Sequence, residues 1–128
     1  MEKRILDTDI LIDHLRGYLP AKGYMEQFEF GNFKGYITTV SILELYAGKK
    51  IKELPKMMGV ERLIGMLEKV DLSVEIAKKA GEIVRLYECV IPDAIVAATA
   101  SHNGAKIVTR NRKHYSKIKE VEIEVPYF

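Results

Sequence analysis

The chain has 128 residues, of which 48% are hydrophobic and 30% are charged, and its formal net charge is +2. This length and composition predict one globular domain over residues 1–128 and exclude a disordered chain. The single cysteine, Cys89, excludes a disulfide framework and a multi-cysteine zinc site. No apolar run reaches the ~20 residues that span a bilayer, and no signal peptide opens the sequence, so we expect a cytoplasmic protein.

Short apolar segments alternate with segments of helical period along the chain. Strands are predicted at residues 3–6, 36–39, 70–72, 106–109 and, as an edge strand, 121–125. Helices are predicted at residues 9–15, 22–30, 41–47, 60–67, 74–87 and 93–102, with a basic connection at 111–119. This alternation predicts an α/β three-layer sandwich, in which helices cover both faces of a mostly parallel sheet of about five strands.

Polar residues follow the predicted strands. Asp7-Thr8-Asp9 follows the first strand, Glu44 lies one helix turn beyond the second, Asp93 opens a buried helix, and Thr109-Arg110-Asn111 follows the fourth strand. Ligands of open parallel sheets bind outside the carboxyl ends of the strands. If strands one, two and four are neighbours, we expect three carboxylates and an amide to meet at one edge of the sheet.

Each acid also has an ordinary interpretation near the start of a helix. Asp7, Asp9 and Asp93 lie where a negative charge favours the helix dipole and the free N–H groups. Ser41 and Glu44 have the spacing of a capping box, in which the carboxylate accepts from the Ser41 amide. Spacing alone leaves both interpretations open.

Four other polar residues receive structural interpretations. Thr8 is predicted to cap the first helix, and Asp13 to be a solvated surface acid one turn beyond Asp9. His102 and His114 are interpreted as unliganded, because neither has a partner at the spacing of a zinc site.

The charges are distributed unevenly along the sequence. No acid occurs between Ala94 and Lys119, a segment that contains the cations Lys106, Arg110, Arg112, Lys113, Lys117 and Lys119, and further lysines lie at 49, 50, 52 and 56. Such runs are either solvated faces or contacts with a polyanion. Carboxylates packed together repel by ~4 kcal/mol per close pair unless a cation neutralises them, and oxygen ligands suit Mg²⁺ or Mn²⁺. A metal cluster with cationic flanks predicts a phosphodiester ligand.

Four segments together resemble one known family. Residues 5–13 (ILDTDILID), 39–48 (TVSILELYAG), 91–100 (IPDAIVAATA) and 108–111 (VTRN) occur in the order and spacing of the motifs of PIN-domain ribonucleases. The resemblance is particularly to the VapC-type toxins of toxin–antitoxin pairs. It spans residues 5–115, which is nearly the whole chain.

The resemblance implies an endoribonuclease that cleaves RNA through a metal-activated water. It also implies a Mg²⁺ or Mn²⁺ cofactor, a homodimer, and a cognate antitoxin that blocks the site. Asp7, Glu44 and Asp93 occupy the positions of the catalytic, metal-binding acids. We expect Thr8, Asp9, Thr109 and Asn111 to position water or those acids, and Arg110, Arg112 and Lys113 to contact RNA.

The fourth motif departs from the family pattern. Family members commonly carry another acid there, whereas this chain has Asn111 and His114, followed by Tyr115. An amide brings no charge to a metal site, so we predict one metal ion rather than two.

Two alternatives remain open at this point. Asp7-Thr8-Asp9 also resembles the motif of aspartyl-phosphate phosphatases, although Leu11 stands where that family has Thr or Val, and no later acidic pair follows Asp93. The missing fourth acid also allows a catalytically inactive PIN-like module that binds RNA or protein.

Overall fold

Five parallel strands form the centre of the computed structural model, which describes residues 1–128. The strands are β1 (Lys3–Leu6), β2 (Lys34–Thr38), β3 (Glu68–Val70), β4 (Lys106–Val108) and β5 (Ile123–Glu124). They are arranged in the order β3-β2-β1-β4-β5, and every neighbouring pair is parallel. The predicted parallel sheet and its edge strand near residue 123 are therefore confirmed.

Seven helices surround the sheet. They are α1 (Thr8–Leu15), α2 (Leu19–Glu29), α3 (Thr39–Tyr46), α4 (Leu54–Met66), α5 (Val74–Tyr87), α6 (Ile91–Asn103) and α7 (Arg112–Tyr115). Successive strand residues point to opposite faces, so Ile5 packs against α5 and α6, whereas Leu6 packs against α1, α2 and α4. The two hydrophobic cores lie on opposite faces of the sheet, so the domain has the three predicted layers of helices, sheet and helices. No helix combines the length and the apolar run that crossing a bilayer needs.

The strand register gathers the ends of three strands at one edge. Ile5 lies beside Tyr36 of β2 and Ile107 of β4, so β1 is the central strand. Strands β1, β2 and β4 are therefore direct neighbours, which is the condition for the predicted cluster of acids. The amide of Asp7 continues the ladder by donating to Val108 O at 3.0 Å. The residues that follow β1, β2 and β4 therefore lie side by side.

Several element boundaries differ from the prediction. The α1 helix begins at Thr8 itself, and the side chain of Asp7 rather than Thr8 accepts from the first free amide. The α2 and α4 helices begin earlier than predicted, each with a proline in its first turn, where the missing N–H costs nothing. The basic connection contains the short helix α7, and β3 lies two residues earlier than expected.

Small residues let the α6 helix pack directly between the sheet and α5. Its residues Ala94 to Ala100 are all buried. The helix ends at Gly104, whose φ of +64° lets its amide bond back to Ala100 and Ser101, as the Asn103-Gly104 stop predicted. This close packing fixes the first turn of α6, which contains Asp93, beside the strand ends.

Candidate active site

A cavity of about 160 Å³ opens at the carboxyl ends of the central strands. The three acids that the motifs single out, Asp7, Glu44 and Asp93, all border it. The complete lining consists of Asp7, Thr8, Asp9, Glu44, Pro92, Asp93, Val96, Asn111 and His114. The fold thus brings together residues from four separate segments of the chain.

Asp7 is buried at the end of β1 and is held by two neighbouring residues. Its Oδ1 accepts from the amide of Thr8 at 2.9 Å, and its Oδ2 accepts from the hydroxyl of Thr109 at 2.9 Å. Burial raises the pKa of Asp7, and the hydrogen bond from Thr109 opposes that shift. Asp7 therefore both caps α1 and presents a desolvated carboxylate at the cavity wall.

Asp9 joins α1 to the segment after β4. Its Oδ2 accepts from the amide of Arg110 at 2.8 Å and lies 3.3 Å from Nδ2 of Asn111, while its Oδ1 accepts from the amide of Ile10 at 2.8 Å. Burial raises the pKa of Asp9, and the charge of Asp7 raises it further. The contact places the side-chain amide of Asn111 beside an acid, as the sequence predicts.

Glu44 reaches the cavity across α3. The helix begins at Thr39, two residues earlier than predicted, and the amide of Ser41 donates to the hydroxyl of Thr38 at 3.0 Å. The capping box of Ser41 and Glu44 therefore does not form. The hydroxyl of Thr8 instead lies 2.8 Å from Oε1 of Glu44 and 2.9 Å from the hydroxyl of Ser41.

Asp93 is contacted by two residues that follow the fourth motif. His114 Nδ1 lies 3.3 Å from its Oδ2, and the hydroxyl of Tyr115 lies 3.4 Å from its Oδ1. Burial raises the pKa of Asp93, and the charge of His114 opposes that shift. Burial, together with the charges of Asp7 and Asp93, raises the pKa of Tyr115 far above its ordinary value, so the phenol stays protonated.

Sequence reasoning missed the contribution of these two residues. The signal was present, because His114 stands at a place where the family commonly carries an acid. His114 is a lone histidine by spacing, and only the turn of α7 brings its ring to Asp93. Tyr115 is fully buried beneath the carboxylates, where its hydroxyl serves as a donor.

The cavity has an excess of negative charge. Four carboxylates line it, no lysine or arginine does, and His114 is the one side chain there that can become a cation. No three of the His, Cys, Asp and Glu side chains are gathered closely enough to hold a metal ion as they stand. In this arrangement Asp7 and Asp9 accept from backbone amides, Oε1 of Glu44 contacts the hydroxyl of Thr8, and Asp93 contacts His114 and Tyr115. The hard oxygen donors of the lining fit Mg²⁺ or Mn²⁺ in chemical type.

The three predicted RNA contacts differ in their surroundings. Arg112 and Lys113 are exposed on α7. Arg110 is held by Asp13, whose Oδ2 lies 3.0 Å from Nη1 of Arg110 and accepts from the hydroxyl of Tyr127 at 3.0 Å. The interpretation of Asp13 as a solvated surface acid is therefore wrong, because its side chain is only 17% exposed and is bound by Arg110 and Tyr127.

Two curated ribonucleases are similar to this chain in sequence. Ribonuclease VapC2 of Methanocaldococcus jannaschii is 31% identical over 114 residues, which cover 76% of each chain. Ribonuclease VapC10 of Mycobacterium tuberculosis is 27% identical over 123 residues, covering 92% of this chain and 90% of the relative.

A solved structure and a family model also match this chain. A solved toxin–antitoxin complex from Klebsiella pneumoniae contains a chain that superposes with a TM-score of 0.81 at 25% identity, covering 97% of this chain and 98% of that one. The model of the PIN domain family matches residues 4–121. The protein therefore belongs to the PIN domain family, as its four motifs predicted.

Proposed function

We propose that this protein is a metal-dependent endoribonuclease and the toxin of a toxin–antitoxin pair. The observation that carries the proposal is the cavity at the strand ends, which is lined by four carboxylates and by no lysine or arginine. A fold avoids such repulsion unless a ligand compensates for it. The two curated relatives are named ribonucleases, and metal dependence is general among PIN-domain ribonucleases.

We assign the metal-binding role to Asp7, Glu44 and Asp93, and we propose Mg²⁺ or Mn²⁺ as the ion. Both are hard cations that prefer carboxylate oxygens. When bound, such an ion lowers the pKa of a water molecule and stabilises the charge that builds up on the phosphate. The neutral side chain of Asn111 supports one ion rather than two.

The remaining polar residues would hold the acids in place. Thr109 donates to Asp7 and Thr8 contacts Glu44, so two of the three acids are oriented by neutral hydroxyls that add no charge. Asp9 and Asn111 form the side of the cavity toward the loop after β4. We propose that Arg112 and Lys113, which are exposed beside Asn111 and His114 of the cavity lining, bind the RNA backbone.

The proposed partners follow from the same relatives. The Klebsiella pneumoniae structure is a toxin–antitoxin complex, and its chain matches this one over almost its whole length. We therefore propose a cognate antitoxin that covers the carboxylate cavity, and a homodimer as the assembled form. A phosphatase is disfavoured by the family assignment.

One specific observation favours the alternative of an inactive binding module. His114 occupies a position where the family commonly has an acid, and it contacts Asp93 directly. An imidazole at that position replaces a carboxylate, so the site has less negative charge for a metal ion to balance. The experiment below separates the two functions.

The test is RNA cleavage by three matched variants. Asp7→Asn and Asp93→Asn keep the side-chain shape and remove one ligand charge, so we expect cleavage in Mg²⁺ or Mn²⁺ to fall by about 100-fold or more. Asp71→Asn is the control, because Asp71 is exposed and does not line the cavity. RNA binding without cleavage by the wild type in either ion would support the binding module and overturn the proposal.

A further inference from the structure

A cluster at the rim of the cavity anchors the side chain of Arg110. It consists of Asp13, Tyr18, Arg110 and Tyr127, and we call it the Arg110 clamp. Oδ2 of Asp13 binds both Nη1 of Arg110 and the hydroxyl of Tyr127, each at 3.0 Å. The guanidinium carbon lies 5.8 Å from the ring centre of Tyr18 and 5.6 Å from that of Tyr127. The two rings pack edge to face at 5.5 Å.

The clamp is connected to the cavity through the backbone of Arg110. The amide of Arg110 donates to Oδ2 of Asp9 at 2.8 Å, and that carboxylate lines the cavity. The hydroxyl of Thr109 lies 3.4 Å from the same oxygen and 2.9 Å from Oδ2 of Asp7. A side chain near the C-terminal end of the chain, Tyr127, is thus linked by successive contacts to the wall of the site.

The state of the guanidinium argues against a simple phosphate contact. Its charge is already paired with Asp13, whose side chain is only 17% exposed. Both tyrosine rings lie within cation–π range of the guanidinium. The side chain of Arg110 is itself 42% exposed, so what distinguishes it is this pairing. Binding a phosphate through this group would compete with Asp13, whereas Arg112 and Lys113 are exposed and form no ion pair.

We infer that Arg110 is a positioning residue whose clamped side chain holds its own amide on Asp9. The clamp fixes the loop after β4 against α1 and so sets the distance between Asp9 and the metal-binding acids. This inference rests on the proposed ribonuclease function for its effect on rate. Its structural part, the protection of the Arg110 amide, is independent of that function.

Two variants test the clamp without touching the cavity lining. Tyr127→Phe removes only the hydroxyl that bonds Asp13, and Arg110→Met removes the guanidinium while keeping a long side chain. In both we expect hydrogen exchange of the residue 110 amide, measured by NMR without metal, to accelerate about 10-fold. We expect kcat for RNA cleavage to fall about 10-fold with KM unchanged, because supporting contacts of metal sites contribute by that amount.

A matched control and a salt titration complete the design. Tyr87→Phe also removes a phenol hydroxyl that binds a carboxylate, Glu120, but it lies away from the cavity, so exchange at residue 110 and kcat should stay unchanged. The salt dependence of RNA binding should keep its slope in Arg110→Met. In Arg112→Ala it should lose about one unit, because a phosphate contact releases one counterion.

Three results would overturn the inference. A raised KM and a smaller salt slope in Arg110→Met, with amide exchange unchanged, would make Arg110 a direct RNA contact. Faster exchange with unchanged kcat would show that the position of Asp9 does not matter to the reaction. Unchanged exchange in Tyr127→Phe would show that the hydroxyl does not hold the clamp. Failure of the ribonuclease proposal is recognised separately, by a wild type that does not cleave RNA.

Discussion

Two groups of charged side chains lie along β1, and they balance their charge in opposite ways. Arg4 is 5% exposed on the sheet face that carries α2. Its Nε donates to Glu124 at 2.7 Å and its Nη2 to Glu2 at 3.2 Å, and the hydroxyl of Tyr24 donates to the second oxygen of Glu124 at 2.9 Å. A buried cation here has its counter-charges within the same chain.

Three residues further along the chain, the balance is missing. Asp7 begins a group of four acids at the cavity, and only His114 can offset them. Burial raises the pKa values of Asp7, Asp9 and Asp93, as is expected for carboxylates that are desolvated without a full counter-charge. The difference teaches that the Arg4 group has its counter-charges as folded, whereas the cavity does not, which supports the proposal that it binds a cation.

The largest expected effect is on stability and comes from the Arg4 group, which consists of Arg4, Glu2, Glu124 and Tyr24. Arg4→Met leaves Glu124 without its cation, so we expect the free energy of unfolding to fall by about 2–3 kcal/mol. The value lies below that of a fully buried pair because the Glu124 side chain is still 29% exposed. Urea denaturation measures it. Lys34→Met breaks the exposed Lys34–Glu68 pair and should have little effect, and an equal loss in both variants would remove the distinction between the two groups.

A smaller effect of opposite sign is expected at the cavity. Asp93→Asn removes one of the repelling charges, so we expect the metal-free protein in EDTA to gain about 1 kcal/mol in unfolding free energy at pH 7. The same variant should lose most of the stabilisation that Mn²⁺ gives the wild type, as a thermal melt would show. Asp71→Asn should change neither quantity. A loss of stability in Asp93→Asn would mean that its role in the first turn of α6 outweighs the repulsion.

The sequence predicts the fold because the fold-determining signals are local. The apolar run at β1, the Ser73 cap of α5 and the Gly104 stop of α6 each lie within a few residues of the element they bound. The acids of the cavity could be predicted for the same reason: Asp7 and Asp9 follow β1 closely, and Asp93 lies in the first turn of α6. Glu44 lies further along, on the helix that follows β2. Bringing them to one edge also requires β2, β1 and β4 to be neighbours, an order that the structure shows and the sequence alone left open.

The contacts that the sequence does not reveal join distant segments. Asp13 meets Arg110 and Tyr127 across 97 and 114 residues, and no pattern around Asp13 distinguishes it from a surface acid. Glu44 is open to two interpretations from the sequence because a shift of three residues in the N-cap of α3 decides whether Thr38 or Ser41 caps the helix. Side-chain hydrogen bonding depends on such register, which periodicity fixes only to within a turn.

The smallest expected effect is the pH dependence of stability that the excess negative charge of the cavity causes. The folded pKa of Asp93 is raised above its unfolded value, so the folded state binds the extra proton between those two values, and stability from this group is lost as pH rises through the folded pKa. Asp93→Asn and wild type should therefore have equal unfolding free energies near pH 4. From there to pH 7 the unfolding free energy of the variant should rise relative to that of the wild type by less than about 1 kcal/mol per pH unit. Urea unfolding in EDTA across that range measures the difference. A difference that stays constant from pH 4 to pH 7 would assign it to packing or capping, and the cavity would then be as balanced as the Arg4 group.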